Sequence, residues 1–258
     1  MPRRTMPDMT SSSRPPADEA SQAAGPVWAR NDRQPRRRTL TRDSIVRAAV
    51  AIADRDGLDA VSIRSVAAAL EVRPMSLYGH VSSKEDLLDL MFDQVAGECL
   101  LGDELPQQWR SALEAIARRT RDQGMAHPWT IEVQVDRIPL GPNTLRVLDE
   151  WMRAVAPLSL DQDAAWSIVT AVNDYTVGYV IRLTAQQRAV PSDPAAAGEW
   201  TSSVNSYLTE CAESGDYPHI AALLHQGFAN QPNNFAEGLA YILDRVEQLH
   251  TPTRPGRQ

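Results

Sequence analysis

The stretch SIRSVAAALEVRPMSLYGHV, Ser62 to Val81, reads as two short helices joined by a tight turn. Ser62 is placed to cap the first helix, and Ile63, Val66, Ala67 and Leu70 recur at the i, i+3, i+4, i+7 spacing that turns one apolar stripe toward a core. Glu71 to Arg73 interrupt that stripe. Pro74 suits the first turn of a new helix, which the pattern predicts from Met75 to His80 with Leu77 inward. Helices this short are not stable alone, so a larger helical scaffold must hold the pair out. A helix-turn-helix that presents its second helix to the DNA major groove has that geometry.

Working outward, Thr41 is the N-cap of a preceding helix whose Ile45, Ala48, Ala49, Ile52 and Ala53 share one face, and Gly57 ends it. After the pair, Ser82 with Glu85 reads as a capping box opening a longer helix with Leu87, Leu88, Met91, Val95 and Leu100 inward. Further helices are expected at about residues 106–124, 129–137, 144–156, 159–185, 197–212, 217–229 and 235–250. Ser159 with Gln162 makes a second capping box before the stripe of Trp166, Val169, Val172, Asn173, Val177, Val180 and Ile181. Residues 187–198, QRAVPSDPAAAG, read as a flexible break, and the last helix carries Leu239, Ile242, Leu243, Val246 and Leu249 on one stripe. No strand-like alternation and no internal repeat stand out. The expected fold is all-α: an N-terminal three-helix helix-turn-helix head on a larger helical body.

A chain of 258 residues with 43% hydrophobic content can bury a sizeable core in one or two domains. It holds no apolar run of membrane-spanning length and too few apolar residues near the N-terminus for a signal peptide, so a cytoplasmic protein that avoids the membrane is expected. The two cysteines, Cys99 and Cys211, lack metal-ligand spacing and read as semi-buried thiols. Five histidines, at 80, 127, 219, 225 and 250, show no metal spacing either. With no glycine-rich phosphate loop and no nucleophile elbow, the reading assigns no catalytic residue, no metal and no cofactor.

The formal charge of -7 is unevenly placed. Residues 1–90 carry 14 Lys+Arg against 12 Asp+Glu, net +2, leaving 12 against 21, net -9, for residues 91–258. A head that tolerates an anionic partner on an acidic body fits a DNA-binding module. Residues 1–38 are rich in Pro, Ser, Ala and Arg without helical periodicity and read as a disordered arm. Arg30, Arg33, Arg36, Arg37 and Arg38 close that arm, where they either enter a minor groove beside the major-groove helix or solubilise a tail. Lys84 is the only lysine in the chain.

From about Leu40 to Met91 the chain resembles the tetracycline-repressor (TetR) family, through SIRSVAAAL, MSLYGHV and SSKEDLLDLM. The resemblance extends through the body by Trp109 in QQWRSAL, by NDYTVGYVI and by HQGFANQPNNFAEGLAYILDRVEQL. It implies a homodimeric transcriptional repressor, with a three-helix DNA-binding head and a body whose pocket takes a small organic effector and lowers affinity for a palindromic double-stranded operator. Domain boundaries follow: arm 1–38, helix-turn-helix domain 39–85, ligand-binding and dimerisation domain 86–250, tail 251–258. Dimerisation is expected through the helices at 159–185 and 235–250. Glu71 departs from the family turn, which usually has glycine; a left-handed glutamate there costs about 1 kcal/mol relative to glycine.

Carried over by position, the DNA contacts fall on Ser62, Arg64, Met75, Ser76, Tyr78, His80 and Lys84, joined by Arg36, Arg37 and Arg38 of the arm. The chemistry agrees: Arg64 can pair bidentately with guanine, Ser76 and Met75 can meet base edges or a thymine methyl, and Tyr78, His80 and Lys84 can reach phosphates. The alternative is that Met75 and Tyr78 are core and that His80 caps a helix end. The effector pocket is expected around Trp109, Ile116, Thr120, His127, Trp129, Gln134, Trp151, Asp174, Tyr175, Tyr179 and Arg182, a mixture of aromatic walls and polar groups suited to a drug-sized molecule, with some tryptophans plain core. In the resembled family a histidine and a glutamate hold the magnesium of a tetracycline complex. Aligned positions here carry Gln134 and Arg182, and an arginine repels Mg²⁺, so a metal-free organic effector is expected, with Arg182 suiting an acidic or carbonyl-rich one. Two further readings stay open: an activator, or a protein-interaction adaptor without DNA binding.

Overall fold

The computed structural model describes residues 40–136, 139–226 and 234–250, all helix, turn and loop. Arg36, Arg37 and Arg38 lie outside the described residues. Helix α1 spans Arg42–Asp56. Thr41 caps it in a reciprocal box with Ser44, and Gly57, at φ 86, closes it. Helix α2, Ile63–Ala69, starts at Ser62, whose hydroxyl accepts from Ser65 N at 3.0 Å while Ser65 Oγ accepts from Ser62 N at 2.8 Å. Glu71 turns the chain at φ 56, the left-handed conformation that its side chain disfavours.

The second helix of the pair has the expected six residues but starts one residue earlier and is tighter. Pro74–Gly79 forms a 3-10 segment that puts Leu77 fully inside, closed by Ser76 N donating to Arg73 O and His80 N to Leu77 O, both at 2.9 Å. Six residues between a proline and a glycine suit the i to i+3 bonds of that geometry.

Helix α3, Lys84–Ala96, begins one residue later than Ser82 with Glu85 would place it. Ser83 is the N-cap, taking Asp86 N at 3.0 Å, and Asp86 reaches back to Ser82 N at 3.3 Å. Leu87, Met91 and Val95 face inward as expected, whereas Leu100 lies beyond the helix, after a 3-10 turn at Gly97–Cys99.

The body continues with α4 (Trp109–Ala126), α5 (Trp129–Asp136), α6 (Pro142–Val155), α7 (Gln162–Ala189), α8 (Pro194–Glu213), α9 (Ala221–Gln226) and α10 (Phe235–His250). The expected box of Ser159 with Gln162 is absent. Ser159 is spent ending the preceding 3-10 turn in a left-handed conformation, φ 52, and Asp161 caps α7 by accepting from Ala164 N at 2.8 Å. The break expected at 187–198 shrinks to residues 190–193. Good helix formers carry α7 to Ala189, Pro191 forces Val190 extended, and Pro194 opens α8 under an Asp193 cap.

Two hydrophobic clusters form. The first joins α1, α2, Leu77 and α3 and also takes Trp129 and Val133 from α5. The second packs α4, α6, α7 and α10 around Leu113, Ile116, Trp151, Val172 and Leu239. No residue of the 20-residue α8 is buried; it packs chiefly on α9. Among the described residues no helix is long and apolar enough to cross a membrane.

Candidate functional site

The surface built by the helix pair is polar and open. Leu77 points inward, and its neighbours therefore point out: Met75 is 76% exposed, Tyr78 49%, and Ser76 is exposed beside them. The reading of Met75 and Tyr78 as core residues is thus overturned. Arg64 on α2 and Lys84 at the start of α3 are exposed on the same head. His80 is half-buried as the C-cap of the 3-10 segment, and its carbonyl accepts from Arg42 Nε at 3.4 Å, tying the segment to α1. Ser62 contributes its side chain to the α2 cap.

Ten of the eleven expected effector residues separate into three places, with Gln134 apart. Four converge: Asp174, Tyr175, Tyr179 and Arg182 on α7 line a groove of about 530 Å³ with Gly178 and with Asn234, Glu237, Gly238 and Tyr241 of α10. The spacing 174, 175, 178, 179 and 182 is one helical face. Phe235 braces the two tyrosines, stacked on Tyr175 at 5.5 Å and edge-on to Tyr179 at 4.9 Å, with the Arg121 guanidinium 4.9 Å from its ring centre. Arg182 lies 5.0 Å from the centre of the Tyr179 ring. Tyr175 donates its hydroxyl to Phe235 O at 2.9 Å; a Cβ on Gly238 would overlap that hydroxyl, so only glycine lets the two helices approach. Burial, and then Tyr179, push the Tyr175 phenol above its ordinary pKa, opposed by Arg182. Tyr241 donates to Glu237 at 3.2 Å, which raises its pKa too.

A second set is body core. Ile116 and Trp151 are fully packed, Trp109 is half-buried against the same cluster, and Thr120 is half-buried one turn after Ile116 on α4. Ile116 and Trp151, expected around the pocket, are packed inside this cluster, which for Trp151 is the plain-core alternative.

The third set sits where head meets body. His127, 11% exposed at the end of α4, reaches Asp54 of α1 through Nδ1 at 2.7 Å and Glu98 through Nε2 at 3.1 Å. Trp129, 1% exposed, belongs to the head's core and donates Nε1–H to Asp54 Oδ1 at 2.7 Å. Neither residue faces the α7/α10 groove, and both hold the head. Gln134 is exposed on α5, remote in role from the other ten.

Sequence reading missed the α10 half of the groove, although Asn234 caps α10 by accepting from Glu237 N at 3.2 Å, a legible N-x-x-E signal. It also missed the carboxylates that join elements. Asp93 on α3 accepts from the backbone of Asn143 and Thr144 at the start of α6, both at 2.9 Å. Glu150 on α6 accepts from Leu101 N and Gly102 N at 2.9 and 2.8 Å. Among the described residues, no three His, Cys, Asp or Glu side chains come together as a metal site.

Residues 45–91 match the family described as bacterial regulatory proteins, tetR family, and residues 102–249 match the tetracyclin repressor-like C-terminal domain. The chain is 36% identical to the HTH-type transcriptional repressor DrrR1 of Streptomyces coeruleorubidus, over 82% of this chain and 78% of that one. It is 32% identical to an HTH-type transcriptional regulator of Saccharopolyspora erythraea, over 91% of this chain and 96% of that one. The crystal structure of the Streptomyces coelicolor TetR family protein ActR in complex with actinorhodin superposes with a TM-score of 0.67 at 26% identity, covering 84% of this chain and 99% of that one. Head, body and relatives agree: this chain belongs to the tetR family of bacterial regulatory proteins.

Proposed function

We propose that this transcriptional regulator is a repressor that binds a palindromic operator as a homodimer and leaves it when a small organic molecule binds the body. The exposed trio Met75, Ser76 and Tyr78 on a segment anchored by buried Leu77 carries the DNA reading. A six-residue segment covers too few base pairs for useful specificity alone, so two copies on a two-fold site are needed. The apolar side chains that α7 and α10 leave outside, Trp166, Ile181, Tyr241 and Leu249, support pairing through these helices. Such pairing would bring a partner's helices against the groove. The test is fluorescence anisotropy of the full chain on DNA from upstream of its own gene, with footprinting. A two-fold symmetric footprint is expected, and absence of sequence-preferential binding would favour the adaptor reading.

The effector is assigned to the α7/α10 groove, whose volume falls in the range of drug-sized sites. Tyr175, Tyr179 and Tyr241 offer aromatic walls, and Arg182 offers a guanidinium for a carboxylate, phenolate or carbonyl oxygen. The ActR relative in complex with actinorhodin supports a ligand-binding role for the body. Release of operator by an organic effector should be unaffected by a chelator. Release by tetracycline that requires Mg²⁺ would overturn the metal-free assignment.

A further inference from the structure

Beyond the groove, a separate cavity of about 490 Å³ opens between head and body. Its walls come from the end of α1 (Ala53, Asp54, Gly57), from α5 and the residue before it (Pro128, Trp129, Glu132), and from the end of α7 and the link after it (Thr184, Gln187, Arg188, Val190, Ser192). None of the residues lining the α7/α10 groove reaches it. We propose that this cavity is a second small-molecule site, selective for a cationic amphiphile: an amine on an aromatic or aliphatic body.

Charge and shape carry the assignment. Two carboxylates, Asp54 and Glu132, face one guanidinium, Arg188, which is already committed to Glu132 Oε1 at 3.0 Å. Asp54 accepts from His127 and Trp129 on the same oxygen, Oδ1, and among the described residues no hydrogen bond falls on Oδ2. A carboxylate oxygen can take more donors than this, and an ammonium group supplies three. An anionic ligand would instead meet an excess of negative charge. Ala53, Pro128, Trp129 and Val190 give the apolar remainder a surface, and the indole favours a nearby cation.

The place of Asp54 gives the site a consequence. It is the α1 residue that both His127 and Trp129 hold, so an ammonium that draws the Asp54 carboxylate toward itself through Oδ2 pulls on the bonds that set the head on the body. That consequence rests on the operator-binding reading above; binding of the amine does not.

The experiment uses calorimetry on the full chain with three probes that share an indole-ethyl body: tryptamine (cationic), tryptophol (neutral) and indole-3-propionate (anionic). Tryptamine is expected to bind at least about tenfold more tightly than tryptophol, with no binding of the anion. Glu132→Gln should weaken tryptamine alone, and Ser192→Trp, which adds an indole to the cavity wall, should abolish it while leaving operator affinity unchanged. In anisotropy, tryptamine should lower operator affinity of the wild type but not of Ser192→Trp. Equal binding by the wild type and Ser192→Trp, or tighter binding of the anion, overturns the site. Amine binding that Ser192→Trp blocks, with operator affinity unmoved, overturns the coupling. A chain that binds no operator at all refutes the repressor reading and leaves the calorimetric result to stand by itself.

Discussion

Replacing Gly141 with alanine tests how the connecting helix is fixed to the body. Asp93 on α3 is 8% exposed, and its Oδ1 accepts from Asn143 N and Thr144 N at 2.9 Å and from Thr144 Oγ1 at 3.2 Å. These are free donors at the start of α6, so a buried carboxylate serves as its N-terminal cap. Gly141 sits at φ -79, where any residue is comfortable, so the backbone imposes no penalty. The obstacle is steric: a Cβ there would overlap the Asp93 carboxylate and its Cβ. A short side chain on a helix has one way out, which is to swing off the cap and abandon all three bonds. Bonds to a charged group contribute about 1.5–3 kcal/mol each, and water recovers part of that, so the expected cost is about 3 kcal/mol. For a chain of this size each kcal/mol moves Tm by about 2–4 °C, giving a fall of roughly 6–12 °C. Thermal unfolding followed by circular dichroism at fixed protein concentration measures it, in a cycle with Asp93→Ala. Because the single Asp93 variant has already lost the bonds, the double variant should cost at least about 1.5 kcal/mol less than the sum of the singles. A Tm drop under about 2 °C, or strict additivity, would refute the account.

Arg64→Ala should weaken operator binding by about 1–3 kcal/mol and relax one base position, read by anisotropy at matched salt; unaltered affinity removes Arg64 from the contacts. Deleting residues 1–38 should flatten the dependence of operator affinity on salt without changing dimerisation, and an unaltered slope returns the arm to a solubilising role. Gly238→Ala should displace the Tyr175 hydroxyl from Phe235 O and cut effector affinity about tenfold, the worth of one hydrogen bond, with operator binding retained. Calorimetry showing unchanged effector affinity would detach Tyr175 from the site. Burial pushes the Cys99 thiol up to about 11, so a disulfide reagent at pH 8 should label Cys211 and spare Cys99 until the chain unfolds. The sign follows for stability: the thiol is neutral in both states below its ordinary value near 9.0, and stability is lost as pH rises from there through 11.

What was legible in the sequence was local. Thr41, Ser62 and Gly57 announce helix ends because a cap bonds to residues three or four away, and the stripes of α1, α2 and α3 follow from period alone, as does that of α10 through Val246, with Leu249 left exposed. Where two local signals competed, tertiary demands chose: Ser159 and Asp161 could both cap α7, and Ser159 was already needed to turn the chain. The groove was half legible, since residues 174–182 share a face of one helix while their partners lie about 60 residues later. His127 and Trp129 have the chemistry of pocket residues, and the structure places them at the junction of head and body. The carboxylates that claim them, Asp54 and Glu98, are 73 and 29 positions from His127, and no pattern in the chain links them.

The same long-range bonds show how an event in the body can reach the head. Helix α7 lines both openings, the groove through residues 174–182 and the junction cavity through Thr184, Gln187 and Arg188. On the same helix Val180 packs on Gly124 of α4 so closely that a Cβ on that glycine would stand 3.1 Å from Val180 Cγ1. There is no slack at that crossing, and a close-packed contact passes displacement on rather than absorbing it. Three residues further, His127 is bonded to Asp54 of the head and to Glu98 beyond α3. The other attachment is stiffer, because α6 is tied near both ends, by Asp93 to α3 and by Glu150 to the residues that follow it. Of these two polar attachments, one is a carboxylate cap buried against helix ends, and the other is an imidazole between two carboxylates, beside a cavity. If the effector acts on α7 as proposed, the imidazole grip is expected to open before the carboxylate cap and to turn the head about the α3/α6 joint, re-aiming Met75, Ser76 and Tyr78.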